Sequence, residues 1–310
     1  MLVTENNAAG CLERIERSDD IVLDTETTGL GTFTGDRVCG VAAKAGGEEM
    51  YFSFRHGEGK NLPPERLPQL VKALSGKRLR GFHLRFDLEM MHNEGLPLPP
   101  RMEDTLIAAI LMNENESSFA LKRSKDGRPG LAPRYLGGTA GKEDDRLRDK
   151  LAAKGLGKHE MCKLPPEDVA AYACADLDLP ERLLEEIYRP ALARWGMTDL
   201  YAEYNDYQLL LTEMEIGGIP IDRRIVDFAL ELGTLNRERL LKEIHKAAGY
   251  PLNPQSPPQV RTWLGLPNAQ EETILRSNHP QARSLIDYKA YGKRDSTYLQ
   301  RFIDYSDSSS

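Results

Sequence analysis

No stretch of about 18 consecutive apolar residues occurs anywhere in the sequence, so a membrane span is excluded and no membrane partner is expected. The N-terminus, MLVTENNAAGCLERIERSDD, carries acids early and has no apolar h-region, so it does not read as a secretory signal. Cysteine is sparse: Cys11, Cys39, Cys162 and Cys174 are scattered and form no CxxC. That pattern argues against a zinc knuckle or a disulfide framework and points to a reducing, cytoplasmic setting. Positive charge is also short. Against 48 Asp and Glu there are 41 Lys and Arg, a formal net charge of −7. Such a chain does not bind a polyanion through its overall charge; a nucleic acid would have to be met by local basic patches or by bound metal ions. There is no internal repeat. What is present suits a globular protein: 310 residues, 40% hydrophobic and 29% charged, enough for about two domains and a sizeable core.

Apolar runs and turn residues divide the chain. Ile21-Val22-Leu23 is a short buried-strand pattern broken by Thr28-Gly29. Arg37 to Lys44 and Met50 to Phe54 have strand-like content, which suggests a meander. Pro63-Pro64 opens a helix carrying Leu67, Leu70, Val71 and Leu74; Arg78 to Phe82 reads as a strand, and Phe86 to Asn93 and Glu103 to Met112 as helices. Residues 113–163, rich in Gly and charge, read as an irregular connection with one or two charged helices. Helical order returns from Pro166 to Tyr188. Strands followed by helices predict an α/β or α+β domain over residues 1–195. Residues 196–310 are predicted nearly all helical: Leu200 to Glu215, Arg223 to Ala248 (stopped by Gly249 and Pro251), a helix start after NPQSPPQV, and Ala282 to Phe302 with a break at Gly292. The final SDSSS carries no packing signal. Between Arg276 and Arg301 the basic residues Arg276, Arg283, Lys289, Lys293, Arg294 and Arg301 outnumber Asp287 and Asp295. That run suits a solvated helix face or a surface that tracks phosphates.

Four carboxylates carry the chemistry. Asp24 and Glu26 are two apart at the end of a predicted strand, so they point to one face. Two adjacent like charges repel unless a cation or proton joins them, although a lone DxE also fits a turn of solvated acids. Asp87 stands at the start of a helix, where the helix dipole alone favours an acid. Tyr172 and Asp176 are four apart and share a helix face; alone they also read as core packing and a solvated acid. Together the four acids can cradle two divalent cations about 3.5–4 Å apart. Oxygen ligands suit Mg²⁺ or Mn²⁺. The reaction implied is hydrolysis of a phosphodiester, the metals supplying the positive charge that an acidic chain lacks.

DTETTGL, GFHLRFDLEMM and YACADLDL resemble, in order, the three exonuclease motifs of the DEDD superfamily. Position 171, where the histidine subtype has its histidine, is Ala171, so Tyr172 marks the tyrosine subtype found in proofreading domains of family A DNA polymerases and in ribonuclease D-like enzymes. The resemblance implies a ribonuclease H-like α/β domain with a mixed sheet. It implies that Asp24, Glu26 and Asp176 hold a first metal, with Asp24 bridging to a second. Asp87 would hold that second ion through water, and Tyr172 would orient the attacking water. Thr25 and Leu30 would lie near the terminal nucleotide. The family usually has Asn four residues before the second-motif Asp; here that residue is His83, which could still hydrogen-bond the end nucleotide.

The second half resembles family A as well. EMEIGGIPID resembles the opening of the polymerase region, NPQSPPQVRTWL an Asn-x-x-Ser-x-x-Gln segment, and LIDYKAYGKRDSTYL the thumb with its basic pair. Lys289, Lys293 and Arg294 are therefore expected to grip duplex DNA. No palm or fingers motif is found, so this chain is not expected to polymerise alone. It would be a fragment, or one chain of a split polymerase such as some phages have. The expected partners are a single-stranded or frayed DNA 3′ end, a primer–template duplex and a separate palm and fingers chain. The alternatives are a ribonuclease D-like RNA exonuclease, whose helical RNA-binding module finds no match here, and a non-catalytic scaffold for a palm chain.

Overall fold

The structure is a computed structural model and describes residues 1–137, 140 and 142–308. The chain forms two compact units, Met1–Gly218 and Ile219–Ser310.

The first unit is built on a five-stranded mixed sheet in the order β3-β2-β1-β4-β5. Strands β1 (Asp20–Thr27), β2 (Val38–Ala45) and β3 (Glu48–Ser53) form the expected antiparallel meander. Strands β4 (Arg78–Gly81) and β5 (Met102–Asp104) run parallel to β1 and to each other. Among the helices are α1 (Ala8–Arg17), α2 (Arg66–Leu74), α3 (Leu84–His92), α4 (Thr105–Met112), α5 (Leu131–Tyr135), α6 (Lys142–Ala153), α7 (Pro166–Arg182), α8 (Arg189–Arg194) and α9 (Thr198–Gly217). A 3₁₀ turn, Lys158–Lys163, precedes α7, and a wide π-turn, Leu183–Tyr188, joins it to α8.

Alternation along β1 sorts its side chains between two cores. Ile21 and Leu23 join a cluster with Ile15 of α1, Leu70 of α2 and Leu88 of α3. Val22 packs on the opposite face with Val169, Ala173 and Leu177 of α7. The sheet is thus covered on both faces, which explains why β1 reads as a continuous apolar run.

Several elements depart from expectation. Helix α1 was not expected, although Ala8, Cys11, Leu12 and Ile15 stand at the i, i+3, i+4, i+7 spacing of a buried helix face. Strand β5 occupies the start of what reads as a helix from Glu103, because Asp104 ends the strand and caps α4, accepting from Leu106 N at 2.8 Å. Cys39 and Cys162 are bonded to each other, which corrects the expectation of unpaired thiols. They lie 123 residues apart in sequence, so only the fold that sets β2 beside the 3₁₀ turn brings them together. The first unit also extends past residue 195: Tyr201 and Leu209 of α9 pack into its cores, and Asn205 accepts from Asp104 N at 2.8 Å.

The second unit is all helical, as expected: α10 (Arg223–Ala248), α11 (Pro257–Leu264), α12 (Glu271–Arg276), α13 (Ala282–Lys293) and α14 (Gln300–Ser308), with a π-turn over Arg294–Leu299. Gly292 does not break α13; the helical path continues through it and widens at Arg294. The final Ser309-Ser310 lie outside the described residues. Asp222 caps α10 by accepting from Arg224 N, and Gly249 closes it in the left-handed region at φ 77°. The core joins Leu240 and Ile244 to Leu252, Val260, Ile274 and Leu285. Facing away from it, Ile225, Phe228, Leu232 and Leu235 of α10 are exposed at 66, 64, 44 and 57%. Among the described residues no helix is long and apolar enough to cross a membrane.

Candidate active site

The site forms at the C-terminal end of β1. Asp24 and Glu26 point to the α7 face, because they follow Val22 in the two-residue period of the strand. A register irregularity between Glu26 and Thr27 bends the strand just beyond them. Asp176, one turn after Tyr172 on α7, meets them there. One carboxylate oxygen from each of Asp24, Glu26 and Asp176 lies within 4.8 Å of the others. Glu26 is opposite Gly40 of β2. A Cβ on Gly40 would fall 2.0 Å from the Tyr51 hydroxyl, so only glycine leaves room for that buried ring beneath the site. Tyr51 in turn meets His56 Nε2 at 2.7 Å, and His56 Nδ1 meets Leu164 O at 2.8 Å. This chain of bonds ties β3 to the start of α7.

Asp87 arrives from the other face of the sheet. Thr25, which points away from Asp24 and Glu26, donates to Asp87 Oδ1 from its backbone N at 2.9 Å and from its hydroxyl at 2.6 Å. Asp87 is therefore not one of the three closely grouped acids. Its Oδ1 is engaged by Thr25, and any ligand role falls to its other oxygen. Helix α3 is aimed by Asp104, whose carboxylate accepts from His83 N and Leu84 N, each at 2.8 Å. Asp104 was not singled out from the sequence. Its signal is there: an acid directly before the apolar run TLIAAILM reads as an N-cap. His83 holds φ 59° and ψ 40°, a left-handed conformation in which Asn, Asp and His are enriched among non-glycine residues. Its ring is exposed.

Burial sets the electrostatics. Desolvation, then the charges of Asp87, Asp176 and Glu26, pushes Asp24 well above the usual carboxylate range. Desolvation and Asp176 raise Glu26 to about 8. Desolvation raises Asp87 to about 7 against the opposing hydrogen bonds from Thr25. Desolvation followed by Asp176, Glu26 and Asp24 pushes the Tyr172 hydroxyl far up, so it stays protonated. Three crowded carboxylates, two of which (Asp24 and Glu26) resist ionisation, are an all-oxygen donor set that fits a hard divalent cation.

A cavity of about 260 Å³ opens onto the acids and is lined by Asp24, Phe82, Lys122, Arg123, Lys158, Tyr172 and Asp176 among others. Its basic wall was missed by the sequence reading, because Lys122 and Lys158 belong to the stretch that reads as an irregular connection. Nothing local marks them; the fold alone carries them to the acids. Of the other residues singled out, Leu30 is 81% exposed beyond β1, and Thr25 is buried. Lys289, Lys293 and Arg294 belong to the second unit. Lys293 is exposed and Lys289 half-buried, while Arg294 is bonded to Asp295 and to Ala229 O and covers the Tyr291 ring.

The family model described as the 3′–5′ exonuclease of family A DNA polymerases matches residues 1–190. The chain belongs to that family. It is 26% identical over 314 residues to DNA polymerase I of Borreliella burgdorferi, a match covering 94% of this chain and 32% of that protein. It is 27% identical over 323 residues to DNA polymerase DpoZ of Salmonella phage PMBT28, covering 94% and 49%. The chain thus spans a third to a half of the length of these curated relatives. A solved structure of the POL domain of Pol1 from M. smegmatis, in complex with DNA primer-template and dNTP, superimposes with a TM-score of 0.65 at 19% identity. That superposition covers 96% of this chain and 48% of the other, so the fold likeness extends through both units.

Proposed function

We propose that this chain is a metal-dependent 3′–5′ exonuclease that trims DNA ends, the proofreading part of a family A polymerase. The observation that carries the reading is the close grouping of Asp24, Glu26 and Asp176 beside a protonated Tyr172. In this reading Asp24, Glu26 and Asp176 would hold one divalent cation. Asp87 would serve a second through the oxygen that Thr25 leaves free. Such cations, Mg²⁺ or Mn²⁺, supply the positive charge that both the acids and a phosphodiester need. Tyr172 would orient the attacking water through its hydroxyl, which burial and the neighbouring acids keep protonated before metal binds. The exposed His83 ring and Leu30 flank the path of the last nucleotide, and Phe82 offers it an aromatic wall. Lys289 and Lys293 are assigned to duplex phosphates. Arg294, committed to Asp295 and Ala229, has a structural share.

A strand end must leave its duplex to enter a cavity of this size, so mispaired ends, which melt more cheaply, are cut faster than paired ones. The test is digestion of a 5′-labelled single-stranded DNA oligonucleotide with Mg²⁺ or Mn²⁺, beside an Asp24→Ala, Glu26→Ala double variant. A ladder stepping from the 3′ end, absent in the variant and in EDTA, is the expected outcome. Equal digestion by wild type and variant would overturn the assignment. Faster digestion of RNA than of DNA would redirect it to RNA ends.

A further inference from the structure

Among the described residues, Lys122 is the cation placed directly on the acid cluster. Its Nζ lies 2.5 Å from Asp176 Oδ1 and 3.6 Å from the centroid of the Tyr172 ring, and its side chain is only 7% exposed. A buried ammonium needs partners for its three donors. Here the contact with Asp176 lacks the alignment of a hydrogen bond, and among the described residues Nζ has no other hydrogen-bond partner. Lys158 provides the contrast. It also faces the Tyr172 ring, at 5.0 Å, but it donates to Asp144 Oδ1 at 2.9 Å and is held away from the acids. One lysine is tied by a hydrogen bond outside the cluster; the other is held within it by charge and by the ring, with no aligned hydrogen bond.

The backbone that carries Lys122 is fixed. Residues 120–132 fold back on themselves: Gly130 N donates to Lys122 O, Leu131 N to Ala120 O and Ala132 N to Leu121 O, each at 2.8 Å. A Cβ at Gly130 would fall 2.3 Å from Ala120 O and 2.7 Å from the Lys122 carbonyl carbon, so the closure requires glycine. The hairpin therefore delivers a buried ammonium, paired with Asp176 but without an aligned hydrogen bond, from a well-bonded base. Its charge offsets part of the upward push that burial and the neighbouring acids exert on Asp24 and Glu26.

We propose that Lys122 is the resident counter-ion of the acid cluster: it competes with the divalent cation for Asp176 and, once displaced, turns to the phosphate of the terminal nucleotide. A divalent cation binds carboxylate oxygen at about 2.0–2.1 Å for Mg²⁺. Asp176 Oδ1 cannot serve that ion and an ammonium at 2.5 Å in the same direction, and the two cations repel. The displaced ammonium stays in the cavity whose wall it shares with Arg123, Lys158 and Asp144; Asp144 is already bonded to Lys158 and Arg148, so the anion left to neutralise is the phosphodiester. Lys122 thus holds the acids together before metal arrives and then helps seat the substrate.

The proposal rests on the exonuclease reading, and the experiment separates the two. Mn²⁺ binding to the full chain is titrated without DNA, by electron paramagnetic resonance of the free ion, for wild type, Asp24→Asn, Lys122→Met and Lys122→Arg. Asp24→Asn is expected to lose Mn²⁺ binding; if it binds as wild type does, the metal-site reading itself fails. Lys122→Met is expected to bind Mn²⁺ about tenfold more tightly, what one neighbouring charge is worth in a partly buried site. Lys122→Arg, which keeps the charge, should stay near wild type. Wild-type Mn²⁺ affinity in Lys122→Met, or equal tightening in both lysine variants, would overturn the competition. Digestion of single-stranded DNA at saturating Mn²⁺ then reads the second role: Lys122→Met should raise KM several-fold with a smaller change in kcat, and an unchanged KM would overturn it.

Discussion

The two units treat the unfavourable groups of a folded chain in opposite ways. The first hides charge: Glu26 and Asp87 are 6 and 4% exposed, close to other acids, in the part of the molecule with the largest apolar cores. The second leaves oil in water, with Ile225, Phe228, Leu232 and Leu235 of α10 exposed in a stripe at helical spacing. Burying crowded carboxylates costs stability, which a protein tolerates where the site has chemistry to do. An exposed apolar stripe costs little in a lone chain and acquires value when another surface covers it. Under the proposed reading the first unit carries the chemistry and the second offers a surface. Mutations in the first should change rates, and mutations in the second should change binding.

The sharpest contrast comes from the acids. Asp24→Ala, Glu26→Ala should lower the rate of 3′-end hydrolysis by roughly 10⁴-fold, the scale on which catalytic groups acting as a unit fail together. Single-turnover gels at saturating metal measure it. Tyr172→Phe is next. With the hydroxyl gone the water loses its orienting partner, and kcat should fall by about 10²-fold while Mn²⁺ affinity stays within a few-fold. A loss of metal binding in that variant would move Tyr172 from orienting water to shaping the metal site.

How much of this is readable in the sequence follows from the range of each interaction. The β1–β3 meander, α3 and α7 carry local signals: apolar runs, turn glycines and a proline at the helix start. Asp24 and Glu26 announce themselves by alternation, and Tyr172 and Asp176 by a four-residue helical spacing. The rest is long-range. That Asp87 approaches from the opposite face and is held by Thr25 depends on which face of β1 each residue takes, 62 residues away in sequence. Lys122 and the Cys39–Cys162 bond depend on how a charged, Gly-rich stretch packs, and such a stretch has no periodicity to read. The capping role of Asp104 is local and legible.

The buried acids also give the first unit a pH signature that the second lacks. Glu26 titrates near 8 and Asp87 near 7 in the folded protein, against ordinary values of 4.5 and 3.8. The folded state thus holds protons that the unfolded chain has released. Their stabilising contribution is complete below about pH 4 and is lost as pH rises through 7 to 8. Without metal, the melting temperature should fall over that window, and Asp24→Asn should raise it by a few degrees at pH 8, about 2–4 °C per kcal/mol relieved. Mg²⁺ should reverse the slope, since it binds the ionised acids. A metal-free melting temperature flat from pH 5 to 8 would count against the crowded-acid picture.

For the second unit the expected effect is on binding. Lys289→Ala, Lys293→Ala should weaken duplex DNA binding by a few-fold and flatten the dependence of log K on log salt by about 0.9 for each phosphate no longer neutralised. The rate on a short single strand should not change. A fall in that rate would join the second unit to the chemistry and break the comparison.

The smallest effect tests the stripe itself. Phe228 is 64% exposed, so Phe228→Ser removes little buried area, and the chain's stability should stay within about 0.5 kcal/mol. Leu285 is fully buried in the same unit, and Leu285→Ala should cost about 2–5 kcal/mol. Urea titration of both variants measures the difference. If Phe228→Ser proves as costly as Leu285→Ala, the stripe is already covered in solution, by a second copy or by the first unit, and dilution separates these: an interface between copies weakens as concentration falls and one within the chain does not. If it costs nothing, α10 presents an uncovered apolar face, and the distinction between a unit that does chemistry and a unit that offers a surface holds at the level of single side chains.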